Sequence, residues 1–323
     1  MLKEKIFKIF IIFLFLLFCF SVHNSVSNIY VTSQGLNVRK YIGLSKHDYK
    51  LFTGQGITVA IIDSGISYHN DINSKRVKKF VDFVNYKDDL YDDNGHGTTI
   101  AGIIGSNGKM KGIAPNVNFV IIKALDSEGI TDREIMCKAI DWVSEYKNTY
   151  DIKVVNISVG VAPYKDSASD PIIQSINKLK ETGVIIVCSA GNEGPMIKSI
   201  LSPGISSNVI TVGSCKNNKT YSFLDDDITS FSSRGYSGSG LNKPDIVTFG
   251  VDIFSLDYKD KKGYSIHSGT SYSTGIVSGV TAILMQKFSE KPISYIEQKI
   301  RNSTVSIYNA NSDSQGKGEL KIT

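Results

Sequence analysis

The chain has 323 residues, of which 41% are hydrophobic and 21% are charged, and this balance is ordinary for a folded globular protein. Its net charge of +5 arises from 36 basic and 31 acidic side chains. The basic residues are scattered, without a stripe of interleaved aromatics, so the composition excludes a nucleic-acid partner.

The N-terminal segment differs from the rest of the chain. Three lysines precede an uninterrupted apolar run from Ile9 to Phe20. This run is too short to span a bilayer comfortably and is typical of a signal-peptide core. We therefore predict a signal peptide over residues 1–27, with the small-x-small pattern at residues 25–27 as the cleavage site.

Three readings of this leader stay open. It is either removed or kept as an N-terminal membrane anchor, in which case it is the only membrane contact that we expect. Lipidation at Cys19 is a third reading, but the preceding "LLF" lacks the small residue that a lipidated cysteine requires. Each reading predicts a secreted or cell-surface protein.

Beyond the leader, apolar runs alternate with helical patterns, and we interpret residues 28–323 as one domain. The predicted strands cover residues 57–63, 117–125, 153–160, 184–192 and 209–215. The predicted helices cover residues 96–105, 131–146 (with Thr131 as N-cap) and 170–183 (with Pro171 in the first turn). Continuous apolar strands that alternate with helices predict an α/β fold, with a mainly parallel sheet between helices.

Four cysteines are present, and Cys19 lies in the leader. Cys137, Cys188 and Cys215 form an odd set without CxxC spacing. We expect free thiols, no disulfide framework and no metal site.

Three glycine-flanked segments carry the residue types of nucleophilic catalysis. They are "AIIDSGI" with Asp63, "NGHGTTIAG" with His96, and "SGTSYSTGIVSG" with Ser271. A serine hydroxyl is a weak nucleophile until a base removes its proton, and a carboxylate orients that base. The chain order Asp, His, Ser is one of the known orders for this triad.

A fourth segment, "CSAGNEG", places Asn192 after a predicted strand. Attack on a carbonyl develops negative charge on its oxygen, and one fixed amide donor there contributes roughly 3 kcal/mol. We expect Asn192 to be this donor, and the backbone N–H of Ser271 at a helix start to be the second.

Together these motifs resemble those of the subtilisin family of serine proteases. The resemblance extends to "KGIAPNV", "VVNISVG", "VITVGS", "SFSSRG", "KPDIVTFG" and the final "GKGEL", and it covers almost all of the chain after the leader. It implies a three-layer subtilisin-like fold and a monomeric endopeptidase that acts through an acyl-enzyme. Asp63 then orients His96, His96 is the base and later the acid, and Ser271 is the nucleophile.

The resemblance also implies a binding site for an extended peptide or protein substrate. The walls that match the family are residues 158–160 and 189–191. Their six members are Ser158, Val159, Gly160, Ser189, Ala190 and Gly191. Val161 stands where the family usually has glycine and is expected to narrow the rim, whereas Glu193 is either solvent-exposed or favours a basic side chain beside the scissile bond.

The sequence departs from the family at Gly275, where a proline is usual. We expect glycine to loosen the nucleophile, or to leave room for an amine to attack the acyl-enzyme. The acidic segment 85–97 is either solvated or binds a cation. No cofactor is expected, and calcium has no clear site because it needs six to eight oxygen ligands.

Three functions compete on these observations. An exported serine endopeptidase is favoured, with some ligase character as a variant of it. A catalytically weak pseudoprotease that binds or signals is the alternative, which the intact catalytic residue types disfavour. An esterase or lipase is disfavoured because those enzymes use a G-x-S-x-G elbow and the order Ser, Asp, His.

Overall fold

The structure is a computed structural model that describes residues 29–33, 35–44, 50–164, 169–236 and 240–322. The predicted leader and its Cys19 lie outside the described residues. Seven α-helices occur in the described ranges: α1 Val38–Tyr41, α2 His96–Gly105, α3 Arg133–Tyr146, α4 Pro171–Glu181, α5 Thr270–Lys287, α6 Ile293–Asn302 and α7 Ser312–Gln315. A 3₁₀ turn covers Ser74–Arg76.

The strands of the described ranges are β1 Ile29–Tyr30, β2 Thr32–Ser33, β3 Leu36–Asn37, β4 Thr58–Asp63, β5 Val77–Asp82, β6 Met110–Lys111, β7 Asn118–Lys123, β8 Ile152–Ile157, β9 Ile185–Ser189, β10 Ile210–Lys216, β11 Asp227–Ile228, β12 Gly235–Tyr236, β13 Asn242–Lys243, β14 Ile246–Phe249, β15 Ile253–Leu256, β16 Tyr264–His267, β17 Thr304–Val305 and β18 Glu319–Leu320.

The central sheet has the order β17-β18-β14-β10-β9-β8-β4-β7-β5, and β11 pairs with β10 outside this path. Its pairs from β18 to β5 are parallel, whereas β17 and β11 are antiparallel to their neighbours. The smaller sheets are β16-β15-β2-β3, β1-β6 and β12-β13. The predicted, mainly parallel sheet is confirmed.

Alternate residues of the central strands face two different cores. In β4, Val59 and Ile61 belong to the core that contains α2, α5 and α6, whereas Ala60 and Ile62 belong to the core that contains α3 and α4. All four are fully buried, and each large aliphatic side chain contributes about 1.5–3 kcal/mol by its burial. This two-sided burial explains the continuous apolar runs, and it confirms a three-layer α/β fold.

Helix starts follow local capping chemistry. α4 begins as predicted, with Pro171 in its first position and the carboxylate of Asp170 accepting from the N–H of Ile172 at 3.0 Å. The predicted N-cap of α3 is wrong by one residue. Asp132, not Thr131, caps that helix, because its carboxylate accepts from the N–H of Ile135 at 2.8 Å.

The three cysteines within the described residues are free thiols, as predicted. Cys188 and Cys215 are fully buried, and Cys137 is partly exposed. In the part of the chain that the structure describes, no helix is long and apolar enough to cross a membrane.

Candidate active site

Asp63 and His96 form a close pair at the carboxyl end of the sheet. Asp63 is the last residue of β4 and is fully buried, and His96 is the first residue of α2. The imidazole Nδ1 lies 2.8 Å from Oδ1 and 3.0 Å from Oδ2 of Asp63. This contact fixes the ring so that Nε2 is the nitrogen available to take a proton.

The electrostatics of this pair favour a protonated imidazole. Burial disfavours the charged ring, but the charge and hydrogen bond of Asp63, together with the charge of Asp92, outweigh it and raise the pKa of His96. A base that is stabilised when protonated is suited to accept a proton and then return it.

The helix that carries His96 approaches β4 closely because of a glycine. A Cβ at Gly97 would lie 2.2 Å from the carbonyl oxygen of Gly65 and 3.2 Å from Oδ1 of Asp63. Any larger residue would therefore push α2 away from Asp63. This steric constraint explains the glycine after His96.

Asp92, which the sequence places only in the acidic segment 85–97, holds the same two segments together. Its Oδ1 accepts from the hydroxyl of Ser64 (2.8 Å) and from the N–H groups of Asn94 (3.1 Å) and Gly95 (2.7 Å). Its Oδ2 accepts from the N–H (2.9 Å) and hydroxyl (2.6 Å) of Thr98. The turn after Asp63 and the first turn of α2 are thus tied to one carboxylate that is 6% exposed.

Ser271 is the second residue of α5 and borders the same pocket as His96. Its hydroxyl donates to the carbonyl oxygen of Ser158 at 2.7 Å, and no hydrogen bond joins it to His96 among the described residues. This hydroxyl must release the Ser158 carbonyl before it can donate to the base. The side chain is 7% exposed, so its hydroxyl is accessible only from the pocket.

Asn192 is oriented by the residue before Ser271. Its Oδ1 accepts from both the N–H and the hydroxyl of Thr270, each at 3.0 Å. The amide Nδ2 is therefore the group left to donate to a bound oxygen atom. The N–H of Ser271, in the first turn of α5, is one of the amides that a helix does not use internally.

A pocket of about 350 Å³ joins these groups. Its predicted lining residues Ser158, Val159, Gly160, Ser189 and Gly191 lie there with His96, Asn192 and Ser271. Ala190 lies behind the pocket instead, fully buried beside Ile200 and Ile205. Val161 is also absent from the lining among the described residues, and its backbone pairs with Ser202.

Four further lining residues of the pocket were not predicted. Leu125, Glu128 and Gly129 follow β7, and Leu201 lies on another loop. The rule that functional groups gather at carboxyl ends of parallel strands could have indicated the loop after β7, because β7 pairs with β4 in parallel. Leu201 reaches the pocket only through tertiary packing.

A second pocket of about 310 Å³ lies against His96 and is bordered by His267 and Tyr272. The Tyr272 ring packs near both imidazoles, and its centroid lies 5.6 Å from that of His96 and 5.4 Å from that of His267. Burial, with a further contribution from His96, lowers the pKa of His267. His96 thus borders both pockets.

Gly275 lies in the second turn of α5, against α2. A Cβ there would lie 3.3 Å from Cγ2 of Ile103, a contact tighter than usual. The space that the missing side chain leaves is therefore occupied by the helix that carries His96.

The acidic segment 85–97 is partly used for internal contacts. Asp93 pairs with the fully buried ammonium of Lys123 at 2.6 Å, and Asp92 is engaged as described above. Across the described ranges, no group of three or more His, Cys, Asp or Glu side chains is arranged to hold a metal ion.

A family model described as the subtilase family matches residues 54–318. The chain is 35% identical over 274 residues to the serine protease AprX of Bacillus subtilis (strain 168), covering 78% of this chain and 62% of that protein. It is 34% identical over 266 residues to the minor extracellular protease Epr of the same organism, covering 81% of this chain and 37% of that protein.

Two solved structures share the fold. Sphericase is 25% identical with a TM-score of 0.74, over 84% of this chain and 93% of that one. A cold-adapted subtilisin-like serine proteinase is 28% identical with a TM-score of 0.66, over 84% of this chain and 88% of that one. The chain thus spans less than two thirds of the two Bacillus proteins, but most of the folded domain of the solved structures.

Proposed function

The chain belongs to the subtilase family, and on that premise we propose that it is an exported serine endopeptidase. It cleaves peptide bonds through an acyl-enzyme formed on Ser271. The observation that carries the proposal is the convergence of His96, Asn192 and Ser271 on one pocket, with Asp63 buried behind it and bound to His96.

The proposed reaction begins when the Ser271 hydroxyl leaves the carbonyl of Ser158 and turns to Nε2 of His96. The hydroxyl oxygen attacks the substrate carbonyl carbon while its proton passes to His96. Asp63 stabilises the resulting imidazolium, which agrees with the raised pKa of His96. The substrate oxygen, now negative, accepts from Nδ2 of Asn192 and the N–H of Ser271.

His96 then gives its proton to the departing amine, and the peptide bond breaks. The acyl group stays on Ser271 until water, deprotonated by His96, attacks it and releases the acid. These steps use only side chains and amides of this chain, so the proposed reaction requires no cofactor. An extended substrate pairs with residues 158–160, which gives backbone affinity without sequence preference.

The proposed location is secreted or cell-surface, and the proposed state is a monomer. Export is supported by the apolar run Ile9–Phe20 and by the similarity to Epr, whose name describes an extracellular protease. The proposed domain covers residues 28–323, after a leader of residues 1–27.

A fluorophosphonate probe tests the proposal on the chain that begins at residue 28. We expect labelling of the parent protein and of Ser268→Ala, a matched exposed serine three residues earlier. Ser271→Ala and His96→Ala should not be labelled. Absence of labelling in a folded, monodisperse parent would contradict the proposal and favour the pseudoprotease.

The same protein tests the ligase variant. Product analysis with an added amine gives the ratio of aminolysis to hydrolysis of the acyl-enzyme. We expect hydrolysis to dominate, because Ile103 occupies the space beside Gly275. A large aminolysis fraction that Gly275→Ala suppresses would instead support ligation.

A further inference from the structure

A buried series of three polar side chains runs from the middle of α5 to the wall of the pocket. Its members are Ser278 in α5, Asn156 in β8 and Ser158 just after β8, and they are 0%, 0% and 3% exposed. Of the three, only Ser158 is among the described residues of the pocket lining. Buried polar groups cost free energy unless they are hydrogen-bonded, so the partners of each member decide what the series does.

Each hydrogen bond of this series sets the direction of the next. The hydroxyl of Ser278 donates to Oδ1 of Asn156 at 2.9 Å. This contact orients the amide so that its Nδ2 faces Ser158, and Nδ2 donates to the Ser158 hydroxyl oxygen at 2.8 Å. The Ser158 hydroxyl has a single proton, which it donates to the backbone carbonyl oxygen of Ser271 at 3.2 Å. The series therefore ends on the backbone of the proposed nucleophile.

The contact on the Ser271 carbonyl holds the turn that carries the reacting groups. Ser271 is the second residue of α5, and the first turn of a helix is the part that relies most on partners outside the helix. The N–H of Ser271, which is the proposed second donor to the substrate oxygen, belongs to the same turn. A displacement of this turn therefore moves both the nucleophile and a donor, and catalysis is sensitive to small errors of position.

We propose that Ser278 and Asn156 are positioning residues for Ser271. Together they orient the Ser158 hydroxyl, and that hydroxyl holds the first turn of α5 against the wall of the pocket. Both residues act through Ser158 and not through a contact with the substrate. The inference rests on the proposed endopeptidase function and adds two residues that support its nucleophile.

Ser278→Ala removes the donor that orients the Asn156 amide. The amide can then turn over and present Oδ1 to Ser158, so that the Ser158 hydroxyl donates to Asn156 and leaves the Ser271 carbonyl. We expect kcat for a peptide substrate to fall about tenfold and KM to change less than about twofold, because the substrate pairs with the backbone of residues 158–160. The rate constant of fluorophosphonate labelling should fall with kcat. An unchanged kcat, or a rise in KM alone, would overturn the inference.

Thr281→Val is the matched control in the same helix. Thr281 is fully buried like Ser278, but its hydroxyl donates to the carbonyl of Val277 at 2.7 Å, within α5 itself. The control therefore removes a buried hydroxyl that has no path to Ser271, and it should leave kcat, KM and the labelling rate unchanged. If Thr281→Val lowers kcat as much as Ser278→Ala does, the loss reflects the packing of α5 in general, and the inference is overturned.

A double-mutant cycle shows whether Ser278 acts through the Ser158 hydroxyl. Ser158→Ala alone should lower kcat about tenfold, since it removes the contact on the Ser271 carbonyl. Addition of Ser278→Ala should lower kcat no further, because the series then no longer reaches Ser271. Two independent effects would instead multiply to about 100-fold. That result would also overturn the inference, because a hydroxyl that only supports the core acts independently of Ser158.

Amide hydrogen exchange separates this inference from catalysis. It is measured in a Ser271→Ala background, which keeps the backbone carbonyl and prevents self-digestion, and mass spectrometry follows residues 270–277. Ser278→Ala should speed the exchange of this segment about fivefold, whereas Thr281→Val should not change it. If the parent protein is not labelled by the fluorophosphonate but Ser278→Ala speeds this exchange, the proposed function fails and the positioning assignment stands. Unchanged exchange in Ser278→Ala would overturn the assignment.

Discussion

Removal of the charge of Asp92 tests the local scaffold of the active site. Asp92→Asn preserves the side-chain shape but replaces one acceptor oxygen with an NH₂ group. The aspartate accepts five hydrogen bonds, three at Oδ1 and two at Oδ2. An asparagine whose oxygen takes the place of Oδ1 turns its NH₂ toward the N–H of Thr98, which then has no acceptor.

The size of the effect follows from these contacts. A buried N–H without a partner costs about 1–3 kcal/mol, and the remaining bonds lose the strengthening that a carboxylate gives them. We expect a loss of about 3 kcal/mol in the free energy of unfolding. For a domain of this size, in which the entropy of unfolding grows with the number of residues, that corresponds to a Tm lower by about 5 °C.

The same substitution changes the titration of the base. The charge of Asp92 is one of the causes that raise the pKa of His96, so its removal lowers that pKa. Because kcat/KM requires neutral His96, the acid limb of its pH profile should move to lower pH in Asp92→Asn. A substitution that merely loosened the structure would reduce activity without this shift.

Two assays and one control complete the test. Urea unfolding is measured in a Ser271→Ala background, which prevents self-digestion, and the pH profile of kcat/KM is measured in the active protein. Asp89→Asn, an exposed aspartate of the same acidic segment, should change neither. Ordinary surface substitutions change the free energy of unfolding by up to about 0.5 kcal/mol. The reasoning is refuted if Asp92→Asn and its parent differ by no more than this and the acid limb of the pH profile does not move.

Three further predictions concern the core. Gly275→Pro should destabilise the protein more than Gly275→Ala in urea unfolding, because both crowd Ile103 but only proline also removes a helical N–H. Burial and the nearby Asp226 raise the pKa of Glu319. The native protein therefore keeps a proton on Glu319 that the unfolded chain releases above about pH 4.3. Because the folded state binds more protons, the stability that protonated Glu319 contributes is lost as pH rises. Glu319→Gln should therefore become more stable relative to its parent between pH 4.5 and pH 8. Buried Cys215, whose thiol pKa is raised by burial, should resist alkylation in the native protein, and mass spectrometry after iodoacetamide treatment measures this.

Local sequence patterns were sufficient for the elements that carry the site. The helix predicted over residues 96–105 is α2 itself, and the strand that ends at Asp63 is β4. Both follow from short-range rules. The sequence of a buried parallel strand is a continuous apolar run, and a helix that packs on a sheet needs small residues where its backbone comes close to the sheet. The closeness of Asp63 and His96 then follows from the shared carboxyl edge of the sheet.

Long-range packing set the features that the sequence pattern missed. Ala190 and Ser189 are adjacent, yet only Ser189 faces the pocket, and the direction of each depends on how the segment leaves β9. At Gly275 the sequence predicts free space near Ser271. That space belongs to Ile103, which lies about 170 residues earlier in the chain. A sequence pattern reports that a side chain is small but not which distant residue makes use of it.

The orientation of Ser271 shows how this limit bears on mechanism. The sequence predicts a nucleophile, but its hydroxyl donates to Ser158, whose own hydroxyl lies 3.2 Å from the carbonyl oxygen of Ser271. The nucleophile and this wall of the pocket are therefore coupled by two reciprocal contacts. A substrate strand that pairs with residues 158–160 competes for the Ser158 carbonyl, and its binding would release the Ser271 hydroxyl toward His96. Substrate binding and activation of the nucleophile are then linked through one backbone oxygen. A peptide that is shortened so that it no longer reaches Ser158 should consequently lose kcat as well as affinity.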